Sequence, residues 1–332
     1  MTKKILITGG AGFIGLNLAN KLANIGYKVD IADNFNRAIK DNFLENCISK
    51  NNISLKKIDL LDEIEVLSMD KDYHAIFHLA AIIGVKHVLN KPFSVLHDNI
   101  KMLTNIIELS HLQEKEFKRL LFSSTSEVYA GTLNYFDMKV PTPENTPLTV
   151  SDLTHPRTSY MLSKLYGEAL CHHSNLPFTI FRPHNIYGPR MGMSHVIPEQ
   201  LRKAYFAKEG DRIEVFSAEH TRAFCFIDDA IEMLTIILAD KKCEGLTLNI
   251  GSESPEISIL QLVSECHKIM NKKLKISSID GLSGSPARRA PDMKQTQKIL
   301  NFKSQIGLTD GLKETFRWYK DNVFENEGNS AI

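Results

Sequence analysis

The sequence predicts an α/β protein, a doubly wound parallel sheet followed by a smaller C-terminal lobe, and three observations carry that prediction. Seven short apolar runs, at 3–8, 29–33, 53–60, 75–81, 117–125, 178–183 and 246–251, alternate with helical patterns, the signature of parallel strands joined by crossover helices. Gly9, Gly12 and Gly15 follow the first run at once, where a strand must turn into a helix. An acid, Asp33, ends the second run. From about residue 184 the alternation breaks up. Residues 1–183 with about 225–251 are therefore expected to form the sheet domain, and about 184–224 with 252–332 the second lobe. Helices near 258–270 and 309–321 belong to that lobe, and a site is expected in the cleft between the two.

Lys3-Lys-Ile-Leu-Ile-Thr8 suits a buried parallel strand. Behind it, Gly9-Gly-Ala-Gly12-Phe-Ile-Gly15 allows a tight turn and bare N–H groups at the head of a helix that continues through Leu16-Asn-Leu-Ala-Asn-Lys-Leu. That arrangement cradles a pyrophosphate. Asp33 stands eighteen residues after Gly15, the distance at which a carboxylate meets the hydroxyls of an adenosine ribose. It repels a 2′-phosphate, so the motif reads NAD rather than NADP, with nearby Arg37 speaking the other way. A glycine triplet alone is weak; strand, glycines, helix, strand and acid together are strong.

Phe117-Lys-Arg-Leu-Leu-Phe-Ser-Ser-Thr125 brings hydroxyls to the end of a later strand, with Ser126, Glu127, Val128 and Tyr129 behind them. Ligands of a doubly wound sheet bind beyond the carboxyl ends of its strands, so Thr125 or a serine beside it is placed to bond a reacting hydroxyl. Tyr160-Met-Leu-Ser-Lys164 supplies a base. Residues four apart share a helix face, and an ammonium beside a phenol favours the phenolate. A phenolate takes the proton of an alcohol while the hydride leaves for a nicotinamide. Tyr135-Phe-Asp-Met-Lys139 repeats the spacing, but Pro141, Pro143 and Pro147 follow it and make a loop. Tyr160 instead opens a run with Met161, Leu162, Leu165, Tyr166, Ala169 and Leu170 at helical spacing, and Ser159 stands where a cap belongs.

These residues resemble the extended short-chain dehydrogenases of the NAD-dependent epimerase/dehydratase group, Rossmann-fold enzymes of nucleotide sugars. The likeness covers nearly the whole chain. It takes in Asp59-Leu60, His78-Leu-Ala-Ala81, Asn99, Phe181-Arg-Pro-His-Asn-Ile-Tyr-Gly-Pro189, Thr221-Arg-Ala-Phe with Ile227-Asp-Asp-Ala230, and Arg288-Arg-Ala-Pro-Asp292. The resemblance implies that Thr125 and Tyr160 are catalytic with Glu127 beside them, and that Lys164 positions both tyrosine and ribose. It implies NAD on Gly9, Gly12, Phe13, Ile14, Gly15, Asp33, Asn34, Asp59, Leu60, Leu79, Ala80, Ala81, Asn99, Ser123, Tyr160 and Lys164. It implies a nucleoside-diphosphate sugar on Ser126, Asn185, Arg190, Val196, Arg222 and Arg289. The helices at 99–111 and from Tyr160 carry more apolar residues than one buried stripe needs, so a homodimer through them is expected, as in relatives.

Oxidation of the sugar's C4 hydroxyl gives a ketone, and several outcomes branch from it. The leading expectation is a 4-epimerase or 4-oxidase, with a 4,6-dehydratase or UDP-glucuronate decarboxylase-like enzyme as the alternative. Thr125-Ser126-Glu127 resembles the triplet of GDP-mannose 4,6-dehydratases and UDP-glucuronate decarboxylases. The dTDP-glucose dehydratases carry an aspartate where Ser126 stands, and UDP-galactose 4-epimerases lack the glutamate. Thr154-His-Pro-Arg-Thr-Ser departs from the decarboxylases. Burial is expected to raise the pKa of Glu127 and suit it to remove C5–H beside the ketone; the alternative is that it caps a turn or pairs with a lysine. A non-catalytic NAD-binding regulator is a third class, against which intact Thr125, Tyr160 and Lys164 stand.

Composition narrows the field. Forty Lys+Arg against 39 Asp+Glu leave a formal charge of +1, with no basic run for charge-driven nucleic-acid binding. The isolated arginines at 222, 288 and 289 suit one pyrophosphate better. No apolar run reaches the roughly twenty residues of a membrane helix, and strand one begins too early to leave room for a signal peptide. Five scattered cysteines without a C-x-x-C pair read as reduced thiols of a cytoplasmic protein. The twelve histidines form no metal pattern, so no metal is expected.

Overall fold

The structure, a computed structural model, describes residues 2–114, 117–136, 138–150, 152–279 and 286–325. Its first half runs β1 (Lys4–Thr8), α1 (Phe13–Asn24), β2 (Lys28–Asp33), α2 (Asn42–Ile48), β3 (Ile53–Lys57), α3 (Glu63–Leu67), β4 (Tyr73–His78), α4 (Val85–Asn90), α5 (Pro92–His111), β5 (Arg119–Ser123), α6 (Ala130–Tyr135), α7 (Thr158–His173) and β6 (Phe178–Pro183). The second half runs β7 (Ile186–Tyr187), α8 (Val196–Phe206), β8 (Arg212–Phe216), β9 (Thr221–Ala223), β10 (Cys225–Phe226), α9 (Ile227–Ala239), β11 (Thr247–Ile250), β12 (Glu256–Ser258), α10 (Ile259–Ile269), β13 (Lys275–Ile279), β14 (Arg288–Arg289), α11 (Lys294–Leu300) and α12 (Leu308–Tyr319).

All seven apolar runs join one sheet, in the order β11-β6-β5-β4-β1-β2-β3, and every pairing in it is parallel. Successive strand residues face opposite sides, which explains the two apolar layers. Ile5 and Ile7 face α1 and α9 together with Phe77, Leu121 and Phe181. Leu6, Ile76 and Leu120 face α5 with its Leu103 and Ile106. The chain leaves β1 towards β2 on one side and returns through β4 on the other. That reversal opens a crevice beyond the ends of β1 and β4, where ligands of such sheets bind.

Four details differ from expectation. Helix α5 starts at Pro92, well ahead of Asn99, because a proline at the first helical position gives up only an N–H that had no partner. Helix α7 starts at Thr158, and Ser159 does not cap it: its hydroxyl donates back to the Pro156 carbonyl at 2.7 Å. Tyr135, expected to open a loop, instead closes α6, and Lys139 lies beyond it, so Tyr135 and Lys139 do not share a helix. Beyond β6, short strands build three smaller sheets, β7 with β10, β8 with β13, and β12-β9-β14. Most have only two or three residues, too few to show a period. Among the described residues, no helix is long and apolar enough to cross a membrane, and no three His, Cys, Asp or Glu side chains cluster as metal ligands.

Candidate active site

The glycine loop is shaped by contacts that exclude side chains. Gly9 has φ +65°, and a Cβ on it would lie 2.8 Å from the Cα of Ala80. A Cβ on Gly15 would lie 2.5 Å from the Gly9 carbonyl oxygen. Gly12 heads α1 without a side-chain cap, so the amides of Phe13, Ile14 and Gly15 face outward as first-turn donors. Asp33 closes β2 over this loop, accepting from Ala11 N at 3.1 Å and Phe35 N at 2.9 Å. Burial pushes its carboxyl up, and the two amides and the charges of Arg190 and Arg37 oppose that. An uncapped helix start, a loop with no room for Cβ atoms and a carboxylate beside it fit a dinucleotide.

The other expected cofactor residues line this crevice or hold its walls. Leu79 N bonds the Thr8 carbonyl at 3.1 Å and Ala80 N reaches the Thr8 hydroxyl at 3.5 Å, with half-buried Ala81 next in line. Asn34 accepts from Asn36 N, exposed Asp59 accepts from Leu61 N, and buried Leu60 is held through its carbonyl by Asn105. Asn99 is a correction. Its amide is engaged by both backbone groups of Ile82, at 2.7 and 3.1 Å, and by Ser163 at 3.2 Å, so it holds the loop after β4 and its bonds point to protein.

Thr125, Tyr160 and Lys164 meet where β5 ends against α7. Thr125 caps a short turn at 126–129, accepting from Glu127 N at 3.2 Å, and its hydroxyl bonds Tyr160. Ser126 is buried in that turn. The Lys164 ammonium donates to the Ser123 carbonyl at 2.8 Å and stands 6.0 Å from the Tyr160 ring centre. This corrects the expected contact between ammonium and phenol. Burial pushes the Tyr160 phenol up, against the Thr125 bond and the Arg37 charge. Burial pushes Lys164 down to about 8. A further positive charge would favour the phenolate, and an oxidised nicotinamide in the crevice would supply one together with hydride-accepting chemistry.

Glu127 is the largest correction. Burial pulls its carboxyl up as expected, but Arg289 at 2.7 Å, with the charges of Arg157 and Arg222, outweighs burial and holds it below the usual carboxylate range. The partner is an arginine from the second half of the chain, not a lysine. Arg222, expected on substrate, donates to the carbonyls of Thr221, Pro286 and Ala287 at 2.7–3.2 Å. Burial, aided by Arg289, lowers it to about 10. Asn185 has φ 43° and donates to the Ala223 carbonyl at 3.0 Å, and half-buried Val196 opens α8. Arg190, expected on substrate, grips Asp41 at 2.6 Å, the Ala11 carbonyl at 2.8 Å and the Ile39 carbonyl at 2.9 Å. Sequence reasoning missed Arg157 as a site residue, although it stands three residues before Tyr160, and it assigned no role to Arg37 near the phenol.

The family described as NAD dependent epimerase/dehydratase matches residues 5–251. The chain belongs to this family. As a member it is an NAD-dependent enzyme. The chain is 34% identical, over 97% of its length and 99% of the relative's, to a UDP-N-acetyl-alpha-D-glucosaminuronate decarboxylase of Bacillus cytotoxicus. It is 28% identical to a UDP-glucuronate 4-epimerase of Thermodesulfobacterium geofontis, over 96% of each chain. The solved UDP-glucuronic acid 4-epimerase of Bacillus cereus, in complex with UDP-glucuronic acid and NAD, superposes with TM-score 0.81 at 26% identity, over 96% of this chain and 99% of that one. This epimerase/dehydratase family member thus shares its ancestry with decarboxylases as well as epimerases.

The Asp33 assignment gives a direct expectation. Like-charge contact with a 2′-phosphate costs several kcal/mol, so NAD should bind at least about tenfold more tightly than NADP. Asp33→Ala should narrow that gap. Calorimetric titration of both cofactors into both proteins checks this, and equal affinities in the unmutated protein would refute it.

Proposed function

We propose that this protein decarboxylates a uridine-diphosphate hexuronate by way of a transient 4-ketone. The observation that carries the reading is the Glu127–Arg289 pair: one carboxylate held ionised among Arg289, Arg157 and Arg222. An ionised, paired glutamate is a poor base for C5–H, which weakens the dehydratase reading. Three cations around one carboxylate leave a positive surplus that suits a substrate bearing its own carboxylate. The 34% identical decarboxylase supports the same choice over the 4-epimerase that the sequence put first.

Tyr160 would take the C4 hydroxyl proton, with Thr125 orienting that hydroxyl and the Lys164 ammonium standing 6.0 Å from the ring centre. Gly9–Gly15 and Asp33 would hold NAD, which would supply hydride transfer at C4. A carboxylate beside a ketone carbon leaves as carbon dioxide when the C5–C6 bond breaks, and its electrons pass into the enolate. Arg289 and its neighbours would hold that carboxylate. C5 then takes a proton from solvent, and Tyr160 returns its own to O4. Residues 184–224 and 252–325 would form the sugar-binding lobe. The five unpaired, buried cysteines suit a reducing cytoplasm.

Incubation with UDP-glucuronic acid and its 2-acetamido counterpart, read by mass spectrometry and NMR, is the test. The expected product has lost the mass of carbon dioxide and, in heavy water, carries one deuterium at C5. An unchanged mass with a new spectrum means 4-epimerisation and overturns the proposal. We also propose a homodimer through α5 and α7, where Phe93 and Tyr166 are 77% and 50% exposed. Light scattering at micromolar concentration should give the mass of two chains; the mass of one would refute it.

A further inference from the structure

Three consecutive residues at the end of β5 are each tied to one residue of α7. The Ser123 carbonyl takes the Lys164 ammonium at 2.8 Å, and the Thr125 hydroxyl bonds Tyr160. The Ser124 hydroxyl donates to Oε1 of Glu168. Tyr160, Lys164 and Glu168 stand four residues apart and form one stripe along the helix. Glu168 and Ser124 are buried, 7% and 3% exposed. Behind them Arg182, on β6, grips Glu168 with both arms: Nε to Oε1 at 2.8 Å and Nη2 to Oε2 at 2.6 Å. Its remaining nitrogen donates to the Tyr129 hydroxyl at 2.6 Å and the Glu144 carbonyl at 3.0 Å. A two-armed guanidinium–carboxylate contact is planar and directional, so it fixes the carboxylate in place.

We propose that Glu168 is a positioning residue for proton transfer: it pins the end of β5 to α7 so that Thr125 and Lys164 meet Tyr160 in register, and its charge favours the Lys164 ammonium. The inference rests on the reading that Tyr160 and Lys164 carry that transfer. Glu168 never touches substrate in this role. It acts through Ser124 on one side and through the electrostatics of Lys164 on the other. The groups facing Lys164 are Glu168, Cys171 and His78, and those facing Tyr160 are Glu127, Arg37 and the Thr125 hydroxyl. Burial pushes His78 down to about 3, so it is uncharged at neutral pH. Glu168 is then the carboxylate among Lys164's neighbours.

The test uses the full-length, NAD-loaded protein with Glu168→Gln, Ser124→Ala and Tyr160→Phe. The ionisation of Tyr160 is read as the ultraviolet difference between each protein and the same protein with Tyr160→Phe added. Turnover is read on whichever uronate the unmutated protein consumes. Glu168→Gln should move the Tyr160 ionisation about one unit to higher pH. It should lower kcat about 10- to 100-fold with KM within twofold, the scale of a small misplacement at the reacting groups. The alkaline fall of kcat should begin at lower pH, because Lys164 loses its anionic neighbour. Ser124→Ala keeps the charge, so it should lower kcat about tenfold and leave the alkaline limb in place. An unmoved Tyr160 ionisation with kcat within twofold in Glu168→Gln overturns the proposal. If Glu168→Gln does not fold, an unchanged kcat in Ser124→Ala overturns it. Should Tyr160→Phe itself keep full turnover, the underlying reading falls instead, and the two failures are told apart.

Discussion

Tyr160→Phe is expected to abolish turnover while leaving NAD bound. The change removes one hydroxyl and keeps the ring that packs against α7's surroundings, so the fold and the dinucleotide crevice should stand. What disappears is the proposed general base and its bond to Thr125, a loss of about 100- to 10,000-fold for a positioned proton-transfer group. Stopped-flow absorbance of reduced nicotinamide checks the hydride step, and titration with NAD should give an affinity within twofold of the unmutated protein. Tyr135→Phe should be almost silent, because α6 ends at Tyr135 and Lys139 lies off that helix. A disabling Tyr135 change beside an active Tyr160→Phe would assign the chemistry to the wrong tyrosine.

Arg289→Ala is the second large effect. Removing one preorganised electrostatic partner from a reacting centre costs about 100-fold or more in kcat, and here it also strands Glu127. In the intact pair the Glu127 pKa lies below its ordinary value. Its contribution to stability is therefore present at pH above about 4.3, the unperturbed glutamate value, and is lost only as pH falls through the lower folded value. Without Arg289 the burial of Glu127 is opposed by Arg157 and Arg222 alone, so its pKa should rise. Residual activity should then fall away in acid at higher pH than in the unmutated protein. Steady-state kinetics across pH on UDP-linked uronates measures both effects. A variant with kcat within twofold and an unshifted acid limb would remove the Glu127–Arg289 pair from the chemistry.

The dinucleotide half was largely legible because its signals are local. Gly9, Gly12, Gly15 and Asp33 lie within one strand–helix–strand unit, and the loop geometry that needs them is a property of that unit. Asn99 and Arg190 were legible as important positions, but their protein partners were not. The residue type predicts a hydrogen-bonding partner, but here those partners are Ile82, Ser163, Ala11 and Ile39, which only the folded chain brings near. Two of the small sheets were not legible, since strands of two or three residues carry no period; the third, β8 with β13, has five-residue strands that were passed over.

By itself the sequence determined the seven-stranded parallel sheet, the glycine turn with Asp33 beside it and the stripe that joins Tyr160 to Lys164. Each follows from a repeat of two, of 3.6 or of four residues that a short segment expresses alone. Tertiary structure alone decided the sign of the Glu127 pKa and the partner of Glu168. Glu127 meets Arg289 across 162 residues, and Ser124 meets Glu168 across 44. Burial raises a carboxyl pKa and a cation lowers it, and the balance turns on a separation of 2.7 Å. Charge interactions fall with distance in space, and distance along the chain does not report it.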